Sequence, residues 1–470
     1  MPADLAWTTS TRGRADDKLS LVQRPRLSIF TLPFFALTLL AGSAPCQSAQ
    51  PAAKIAIAKT RDFAEVKPET AGFSSQRLDR LHAVLQKKVD EKQVPGMVTV
   101  LARHGKIVDF QTYGKKDLAS GTAMDKDTIF RIYSMTKPVT GVAMMMLYEQ
   151  GKWSPQDRIA KYIPEFAHLK VFKGMDANGQ PQLEDPAHAP TMAELMSHNA
   201  GFTYGIFGNT AVDKMYRDAN VLGSANLQEM IDKLAKIPLL YQPGTKWVYS
   251  VSVDIQGYLV EKISGKTLGE FMRENIFHPL GMKDTAFHVA EDKLSRFAAL
   301  YAMNPKGELT ATKGGTVALD YAKEPGMPSG GGGLISTARD YLRFCQMFLN
   351  GGELEVARLL APSSAALMRT NRLDPAIMDS RQYGIAFFHV SPGFGFGFDF
   401  GVYTDPGFIG RPVGHGTFTW GGAAGTWFWI DPANDLVFIG MVQRIIDAGS
   451  PDMDTIASDA VYQALVNPEK

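Results

Sequence analysis

The stretch that decides the fold is Phe130-Arg131-Ile132-Tyr133-Ser134-Met135-Thr136-Lys137-Pro138. It contains the only Ser-x-x-Lys of the chain, formed by Ser134 and Lys137. If a helix begins at Ser134, this spacing places both side chains on one face of the helix, one turn apart. Gly151 can end such a helix, because glycine readily adopts the conformation found at helix C-termini. The stretch therefore predicts a buried helix from Ser134 to Gln150.

Ser134 and Lys137 also have the chemistry of a nucleophile and its base. A serine hydroxyl is a weak nucleophile and needs a neighbouring group to take its proton. A buried lysine amine can do so, and the dipole of a helix start favours the negative charge that develops at the serine. The alternative is an exposed Ser and Lys on an ordinary helix. Apolar Ile132 before the pair and Val142 to Leu147 after it favour the catalytic interpretation.

Strand patterns occur near both ends of the chain. Met97 to Arg103 and Lys106 to Tyr113 are predicted to form a hairpin that turns at His104-Gly105. Thr426 to Ile430 and Leu436 to Val442 flank a second turn, which is rich in Asp, Asn and Pro. Each pair of strands is therefore expected to be antiparallel.

Helical patterns precede, follow and separate these strands. Ser75 can cap a helix near the start, and Asp454 to Leu465 is predicted to be the last helix. Strands at both ends with helices between them predict an α/β (α+β) fold, in which helices flank one antiparallel sheet. The α/β part is expected at about residues 60–150 and 276–468, with an inserted helical part at about residues 151–275.

Composition and charge exclude several functional classes. The chain has 470 residues, with 49 Lys and Arg against 48 Asp and Glu, so its net charge is +1. This balance argues against a nucleic-acid partner, because such proteins usually carry a basic surplus. No apolar run of about 20 residues follows residue 50, so no stable membrane span is expected in the mature chain. The nine histidines and two cysteines form no metal-binding motif, so neither a metal nor another cofactor is expected.

Residues 1–49 have the pattern of a secretory signal peptide. Basic residues precede an apolar stretch from Leu27 to Ala41, and small residues follow it. Cleavage is expected near Ala49, which predicts a secreted or periplasmic protein. An uncleaved anchor and a lipoprotein attached at Cys46 are the alternatives, and the true start codon is left open. After cleavage only Cys345 remains, which excludes an intrachain disulfide.

The Ser134 stretch resembles the nucleophile segment of the serine β-lactamase and penicillin-binding-protein superfamily. The resemblance is nearest to the class C β-lactamase-like branch, which contains the family VIII carboxylesterases. Further segments match in the family's order: Leu195-Met196-Ser197-His198-Asn199-Ala200-Gly201, Pro243-Gly244-Thr245-Lys246-Trp247-Val248-Tyr249-Ser250, Pro328 to Leu334, Thr337 to Asp340, and Trp420-Gly421-Gly422-Ala423-Ala424-Gly425-Thr426. The resemblance implies one β-lactamase-like serine hydrolase domain over residues 50–470.

Two departures from the β-lactamase pattern bear on function. The Ser-Asp-Asn and Lys-Thr-Gly motifs of class A enzymes are both absent. Tyr249-Ser250-Val251 ends in valine where the class C motif has asparagine, and Trp420-Gly421-Gly422 replaces Lys-Thr-Gly. Tryptophan cannot bind a β-lactam carboxylate as lysine does, but it can pack against an apolar acyl or alcohol group. Family VIII esterases resemble this pattern, so the resemblance implies a carboxylesterase that acts on small neutral esters.

The resemblance also implies the roles of the site residues. Ser134 would attack the ester carbonyl while Lys137 and Tyr249 accept and relay its proton. The backbone N–H groups of Ser134 and Ala423 would hold the oxyanion of the tetrahedral intermediate. The residues expected to bind the substrate are Trp420, Gly421 and Gly422.

Several alternatives to this interpretation stay open. A β-lactamase or a D-amino-acid peptidase or amidase is one, and a ligand-binding or sensor member that does not turn over is another. His198 and His415 lie in motif loops, where hydrogen bonding to the backbone is favoured over catalysis. An alternating aromatic stripe is predicted to pack in the core rather than in a pocket: Phe394, Phe396, Phe398 and Phe400. The natural substrate and the oligomeric state are not predicted.

Overall fold

The computed structural model describes residues 63–314, 320–379 and 390–467. The predicted signal peptide, residues 1–49, lies outside these ranges together with its expected cleavage site. In the ranges described, none of the helices combines the length and the apolar character that a membrane crossing requires.

The centre of the fold is an eight-stranded antiparallel sheet. The described residues form sixteen strands in all, eight of them in this sheet. They are β1 (Gly96–Arg103), β2 (Lys106–Asp117), β3 (Thr122–Ala123), β4 (Phe130–Arg131), β5 (Val171–Met175), β6 (Pro181–Glu184), β7 (Tyr301–Met303), β8 (Leu309–Ala311), β9 (Ile335–Ser336), β10 (Glu353–Leu354), β11 (Ala357–Arg358), β12 (Phe394–Phe396), β13 (Gly401–Tyr403), β14 (Phe418–Gly421), β15 (Trp427–Asp431) and β16 (Leu436–Val442). The order across the main sheet is β12-β13-β14-β15-β16-β1-β2-β3, and the remaining strands form two-stranded pairs.

Helices cover both faces of this sheet. They are α1 (Ser75–Asp90), α2 (Thr136–Glu149), α3 (Met192–Met196), α4 (Ala211–Asp218), α5 (Leu227–Leu234), α6 (Ser252–Ser264), α7 (Leu268–Met272), α8 (His278–Leu280), α9 (Ala338–Leu349), α10 (Pro362–Met368), α11 (Pro375–Asp379) and α12 (Met453–Ala464). Short 3-10 helices connect some of them, and a π-helix (Arg273–Phe277) lies between α7 and α8.

The predicted sheet from both ends of the chain is confirmed. β1 pairs with β2 on one side and with β16 on the other, so Met97 lies opposite Val442. The β1–β2 hairpin turns where predicted, because His104 and Gly105 have φ angles of 54° and 70°, which suit a two-residue hairpin turn. The second predicted pair forms β15 and β16.

Alternation along β1 divides the core into two layers. Met97 and Leu101 belong to the cluster that packs against α1 and α12. Val98 and Val100 belong to the larger cluster on the opposite face, which includes residues of α2 and α9. Because successive strand side chains point to opposite faces, one strand supplies both layers.

Two predicted helix starts are wrong by one or two residues. The first helix is capped by Ser74, whose hydroxyl accepts a hydrogen bond from the Arg77 N–H, and Ser75 is its first residue. The nucleophile helix α2 begins at Thr136, not at Ser134. The inserted part predicted at about residues 151–275 holds helices α3 to α7, but it also holds the β5–β6 hairpin.

Candidate active site

Ser134 lies on a short 3-10 turn, Tyr133–Met135, that leads directly into α2. The residue before it, Tyr133, has a φ of 40°, which is the left-handed region that a bulky residue rarely adopts. Such strain costs of the order of 1–3 kcal/mol and persists only where the surrounding structure imposes it. Part of that support comes from β4, which pairs with β9 just before the turn. The turn fixes the direction in which the Ser134 side chain leaves the backbone.

Lys137 is fully buried beside Ser134. Its Nζ donates hydrogen bonds to Ser134 Oγ at 3.3 Å, to the Gly331 carbonyl oxygen at 2.6 Å and to the Tyr204 hydroxyl at 3.4 Å. The spacing of three residues therefore brings the two side chains together, even though the regular helix starts later than expected. This contact is the geometry that a nucleophile and its base require.

Tyr249 lies close to Lys137. Lys137 Nζ is 4.5 Å from the centroid of the Tyr249 ring, and the Tyr249 hydroxyl accepts a hydrogen bond from Trp420 Nε1 at 3.4 Å. Both aromatic side chains are almost entirely buried. Ser134, Lys137, Tyr249 and Trp420 thus form one cluster.

The predicted oxyanion strand passes close to the nucleophile segment. A Cβ on Gly422 would lie 2.4 Å from the carbonyl oxygen of Ile132, so only glycine allows this approach. Ala423 follows in a tight turn, closed by a hydrogen bond from the Gly425 N–H to the Gly422 carbonyl at 2.9 Å. Its own carbonyl is held by the Ile446 N–H at 2.9 Å, which fixes the peptide plane.

A cleft of about 670 Å³ runs along the end of β14. β13 pairs with β14 at Phe418 and Thr419, and Thr419 lines the cleft together with Trp420, Gly421 and Gly422. Aromatic and aliphatic side chains such as Tyr403 share the other walls with the charged Arg411, Asp452 and Asp454, and Ser134 does not line this cleft. A volume of this size is typical of small-molecule sites.

Tyr204 is a site residue that the sequence analysis missed. Its hydroxyl contacts Lys137, and its ring lies 5.5 Å from that of Tyr249. Burial, together with Asp254 and Tyr249, raises the pKa of Tyr204 well above its usual value, so the hydroxyl keeps its proton. Its position three residues after the Gly201 loop motif is the only local signal that could have indicated it.

The two motif-loop histidines differ. His198 is fully buried, and its Nδ1 accepts a hydrogen bond from the Ser250 N–H at 3.2 Å and bonds the Ser250 hydroxyl at 2.9 Å. Burial, and then the charge of Lys137, lower the pKa of His198 well below its usual value, so the ring is neutral. The contact to backbone matches the structural role favoured for it. His415 is exposed.

Residues 81–462 match the family model described as Beta-lactamase. The chain belongs to the beta-lactamase family.

Relatives in this family include esterases and a hydrolase with acyltransferase activity. Esterase EstB of Burkholderia gladioli is 30% identical over 400 residues, which cover 82% of this chain and 94% of the esterase. Lovastatin esterase of Penicillium rubens is 27% identical over 382 residues, which cover 78% and 93%. The solved structure of EstCE1, a hydrolase with promiscuous acyltransferase activity, matches with a TM-score of 0.69 at 25% identity, covering 82% and 98%. The resemblance is thereby confirmed, and the chain is a serine hydrolase with the β-lactamase-like fold.

The two residues that depart from the β-lactamase motifs, Val251 and Trp420, lie among aromatic side chains or in the core. Val251 is fully buried at the start of α6 and presents no amide. The Trp420 ring packs 5.5 Å from Tyr249 and 5.2 Å from Phe396. Phe396 belongs to the predicted aromatic stripe, whose members Phe396, Phe398 and Phe400 are fully buried, whereas Phe394 is partly exposed.

The part of the chain that the structure describes contains no candidate metal-binding cluster. No group of three or more His, Cys, Asp or Glu side chains is arranged to hold an ion there. Cys345, the cysteine left after the expected cleavage, is buried, and burial raises the pKa of its thiol well above the usual value.

Proposed function

We propose that this protein is a serine carboxylesterase that acts on small neutral esters through an acyl-enzyme formed on Ser134. The observation that carries the proposal is the contact of 3.3 Å between Lys137 Nζ and Ser134 Oγ in a site where Trp420 replaces the cation of a β-lactamase. The esterases among the relatives support the same reaction class.

In the proposed acylation step, Ser134 Oγ attacks the ester carbonyl carbon while Lys137 Nζ accepts the hydroxyl proton. The carbonyl π electrons move to the oxygen, and the N–H groups of Ser134 and Ala423 stabilise this oxyanion. The intermediate collapses when the carbon–oxygen bond to the alcohol breaks and the alkoxide receives a proton relayed through Tyr249. The products are an acyl-Ser134 ester and a free alcohol.

In the proposed deacylation step, water attacks the acyl carbon and loses a proton to the Tyr249 hydroxyl, which passes its own proton to Lys137. The Ser134 oxygen leaves as the hydroxyl when it regains a proton from Lys137. A carboxylic acid is released and the site returns to its starting state. Each proton that leaves one group is accepted by another, so the cycle needs no cofactor.

Aromatic side chains around the nucleophile support neutral esters as the substrate class. Phe207, a partly exposed side chain, stands 5.8 Å from Tyr249, and Trp420 packs on another side of the same ring. Burying an apolar acyl or alcohol group against these rings is favourable, whereas a carboxylate would lose part of its hydration against them. Trp420, Gly421 and Gly422 are proposed to bind this group.

Export is the other part of the proposal. The basic, apolar and small segments of residues 1–49 support cleavage of a signal peptide and a secreted or periplasmic enzyme. The proposed partner is a small ester molecule alone, because the balanced charge does not favour nucleic acid.

Replacement of the nucleophile tests the proposal. Ser134→Ala is expected to abolish hydrolysis of p-nitrophenyl butyrate, whereas Ser458→Ala, at a buried serine of α12, is a matched control that keeps it. Mass spectrometry after treatment with a fluorophosphonate should place the adduct on Ser134. Substantial activity in Ser134→Ala, or an adduct on another serine, would refute the mechanism.

Turnover and substrate panels separate the alternatives. Repeated turnover of the ester supports an esterase, whereas release of one equivalent of nitrophenol without further turnover would identify a sensor. Faster cleavage of nitrocefin or of a D-alanyl-D-alanine peptide than of the ester would identify a β-lactamase or a peptidase.

A further inference from the structure

Asp254 is a buried carboxylate next to the proposed base, and the mechanism above does not use it. It lies in the first turn of α6, five residues after Tyr249, and it is fully buried. Oδ1 accepts hydrogen bonds from the Ser329 hydroxyl at 2.5 Å and from the Gly331 N–H at 3.1 Å. Oδ2 accepts one from the Tyr204 hydroxyl at 3.4 Å.

Two of these three partners also bind Lys137. Lys137 Nζ donates to the carbonyl oxygen of Gly331, whose N–H binds Asp254, and to the hydroxyl oxygen of Tyr204, whose proton goes to Asp254. Asp254 therefore reaches Lys137 along two separate paths. The arrangement leaves no room for a side chain at position 331, because a Cβ there would lie 2.6 Å from Asp254 Oδ2 and 2.8 Å from the Tyr204 hydroxyl.

The directions of these hydrogen bonds have a consequence for the amine. When Lys137 acts as a base it is neutral, with two N–H donors and one lone pair. The Gly331 carbonyl can only accept a hydrogen bond. The Tyr204 hydroxyl must also accept from Lys137, because its single proton is already donated to Asp254. Together they take up both N–H groups, so the lone pair is left to face Ser134 Oγ.

We propose that Asp254 is a positioning residue that orients the amine of Lys137 through Gly331 and Tyr204, so that its lone pair faces the Ser134 hydroxyl. This inference rests on the proposed role of Lys137 as the base. Asp254 does not touch the substrate. It fixes the position of the Gly331 carbonyl by binding the N–H of the same residue. It also accepts the proton of the Tyr204 hydroxyl, so that the hydroxyl oxygen accepts from Lys137.

Asp254→Asn is the sharpest perturbation because it preserves shape and reverses one hydrogen bond. The Gly331 N–H can only donate, so it retains the amide oxygen of the new side chain, and the amide NH₂ then faces Tyr204. Tyr204 accepts from that NH₂ and turns its own proton toward Lys137. The lone pair of Lys137 is then bound by Tyr204 and is no longer available to Ser134.

The experiment measures the second-order rate constant for labelling of Ser134 by a fluorophosphonate, together with kcat and KM for p-nitrophenyl butyrate. We expect Asp254→Asn to lower the labelling rate and kcat by about a hundredfold, the effect of misplacing a catalytic group by about 1 Å, with KM nearly unchanged. Adding Tyr204→Phe to this variant removes the competing proton, so the double variant is expected to be at least about fivefold faster than Asp254→Asn alone.

Controls separate positioning from a general loss of structure. Asp431→Asn removes another fully buried carboxylate, one that binds the Gly414 and Ala433 N–H groups far along the sheet, and it should keep kcat per folded molecule. If Asp254→Asn fails to unfold cooperatively, Tyr204→Phe alone gives the answer. It should lower labelling at least about threefold with KM unchanged, because one N–H of Lys137 loses its acceptor.

Each outcome decides the proposal. Labelling of Asp254→Asn within threefold of wild type, or a double variant no faster than the single one, would overturn it. Labelling needs no ester, so it tests the role of Asp254 separately from the proposed function. A wild-type protein that is labelled on Ser134 but hydrolyses no ester would refute the carboxylesterase activity, and the labelling rate of Asp254→Asn would still decide the role of Asp254. A wild-type protein that is not labelled on Ser134 overturns both.

Discussion

Asp340 allows the packing of α9 to be tested through the pH dependence of stability. The carboxylate lies in the first turn of α9, where it accepts hydrogen bonds from the Asp284 N–H at 2.7 Å and from the Thr285 hydroxyl at 2.9 Å. It is buried, and this burial raises the pKa of Asp340 from the ordinary 3.8 to about 6. The folded protein therefore holds a proton that the unfolded chain releases between these two values.

The size and sign of the effect follow from this difference in pKa. A gap of about two units at 1.36 kcal/mol per unit is about 3 kcal/mol. Below about pH 3 both states bind the proton, so the free energy of unfolding no longer changes with pH through this group. As the pH rises from about 3 to about 7, the folded state holds more protons than the unfolded state, so stability falls by about 3 kcal/mol in all.

Urea unfolding followed by tryptophan fluorescence can measure this contribution in wild type and in Asp340→Asn. The variant cannot titrate, so the difference in free energy of unfolding, wild type minus variant, should fall by about 3 kcal/mol between about pH 3 and pH 7. The cost of the substitution itself shifts this curve by a constant and does not alter its slope. A flat curve would refute the role of burial. A rising curve would mean that the two hydrogen bonds outweigh desolvation and favour the anion.

The remaining predictions concern the chemistry of the site. Lys137→Arg keeps the charge but cannot be deprotonated in a protein, so kcat on p-nitrophenyl butyrate should be almost lost. Tyr249→Phe should lower kcat at least about a hundredfold, the usual contribution of general acid–base catalysis, and a near-normal kcat would assign the relay to another group. Because Trp420 and Val251 replace two polar groups, kcat/KM on this ester should exceed that on any cephalosporin at least about 10³-fold, or about 4 kcal/mol. Comparable values for nitrocefin and the ester at pH 7 to 8 would contradict that assignment.

Local patterns were sufficient to predict the main sheet and the contact between Ser134 and Lys137. The β1–β2 hairpin has its signal in two adjacent turn residues, and Ser134 and Lys137 are only three residues apart in sequence. The start of α2 was predicted two residues early, because the strained φ of Tyr133 depends on packing and leaves no mark in the sequence pattern.

The partners of Lys137 lay beyond the reach of such patterns. Gly331 approaches it from 194 residues along the chain and Tyr204 from 67. Glycine-rich and tyrosine-containing loops occur for many reasons, so neither one indicates a contact with an amine. The directions of the hydrogen bonds around Asp254 follow only once all of these groups are placed in space.

The pairing of β1 with β16 has a consequence for the time at which the protein can fold. The central strand β1 is synthesised early, but Met97 finds its partner Val442 only near the end of the chain. Contacts so distant in sequence form slowly, because a long loop must close before they contribute. A growing polypeptide that lacks β16 has an incomplete sheet with an exposed strand edge, which is a state that chaperones bind. For a protein proposed to leave the cytoplasm, the sheet stays incomplete until β16, which begins at Leu436, has been synthesised, so export can begin before the fold is complete.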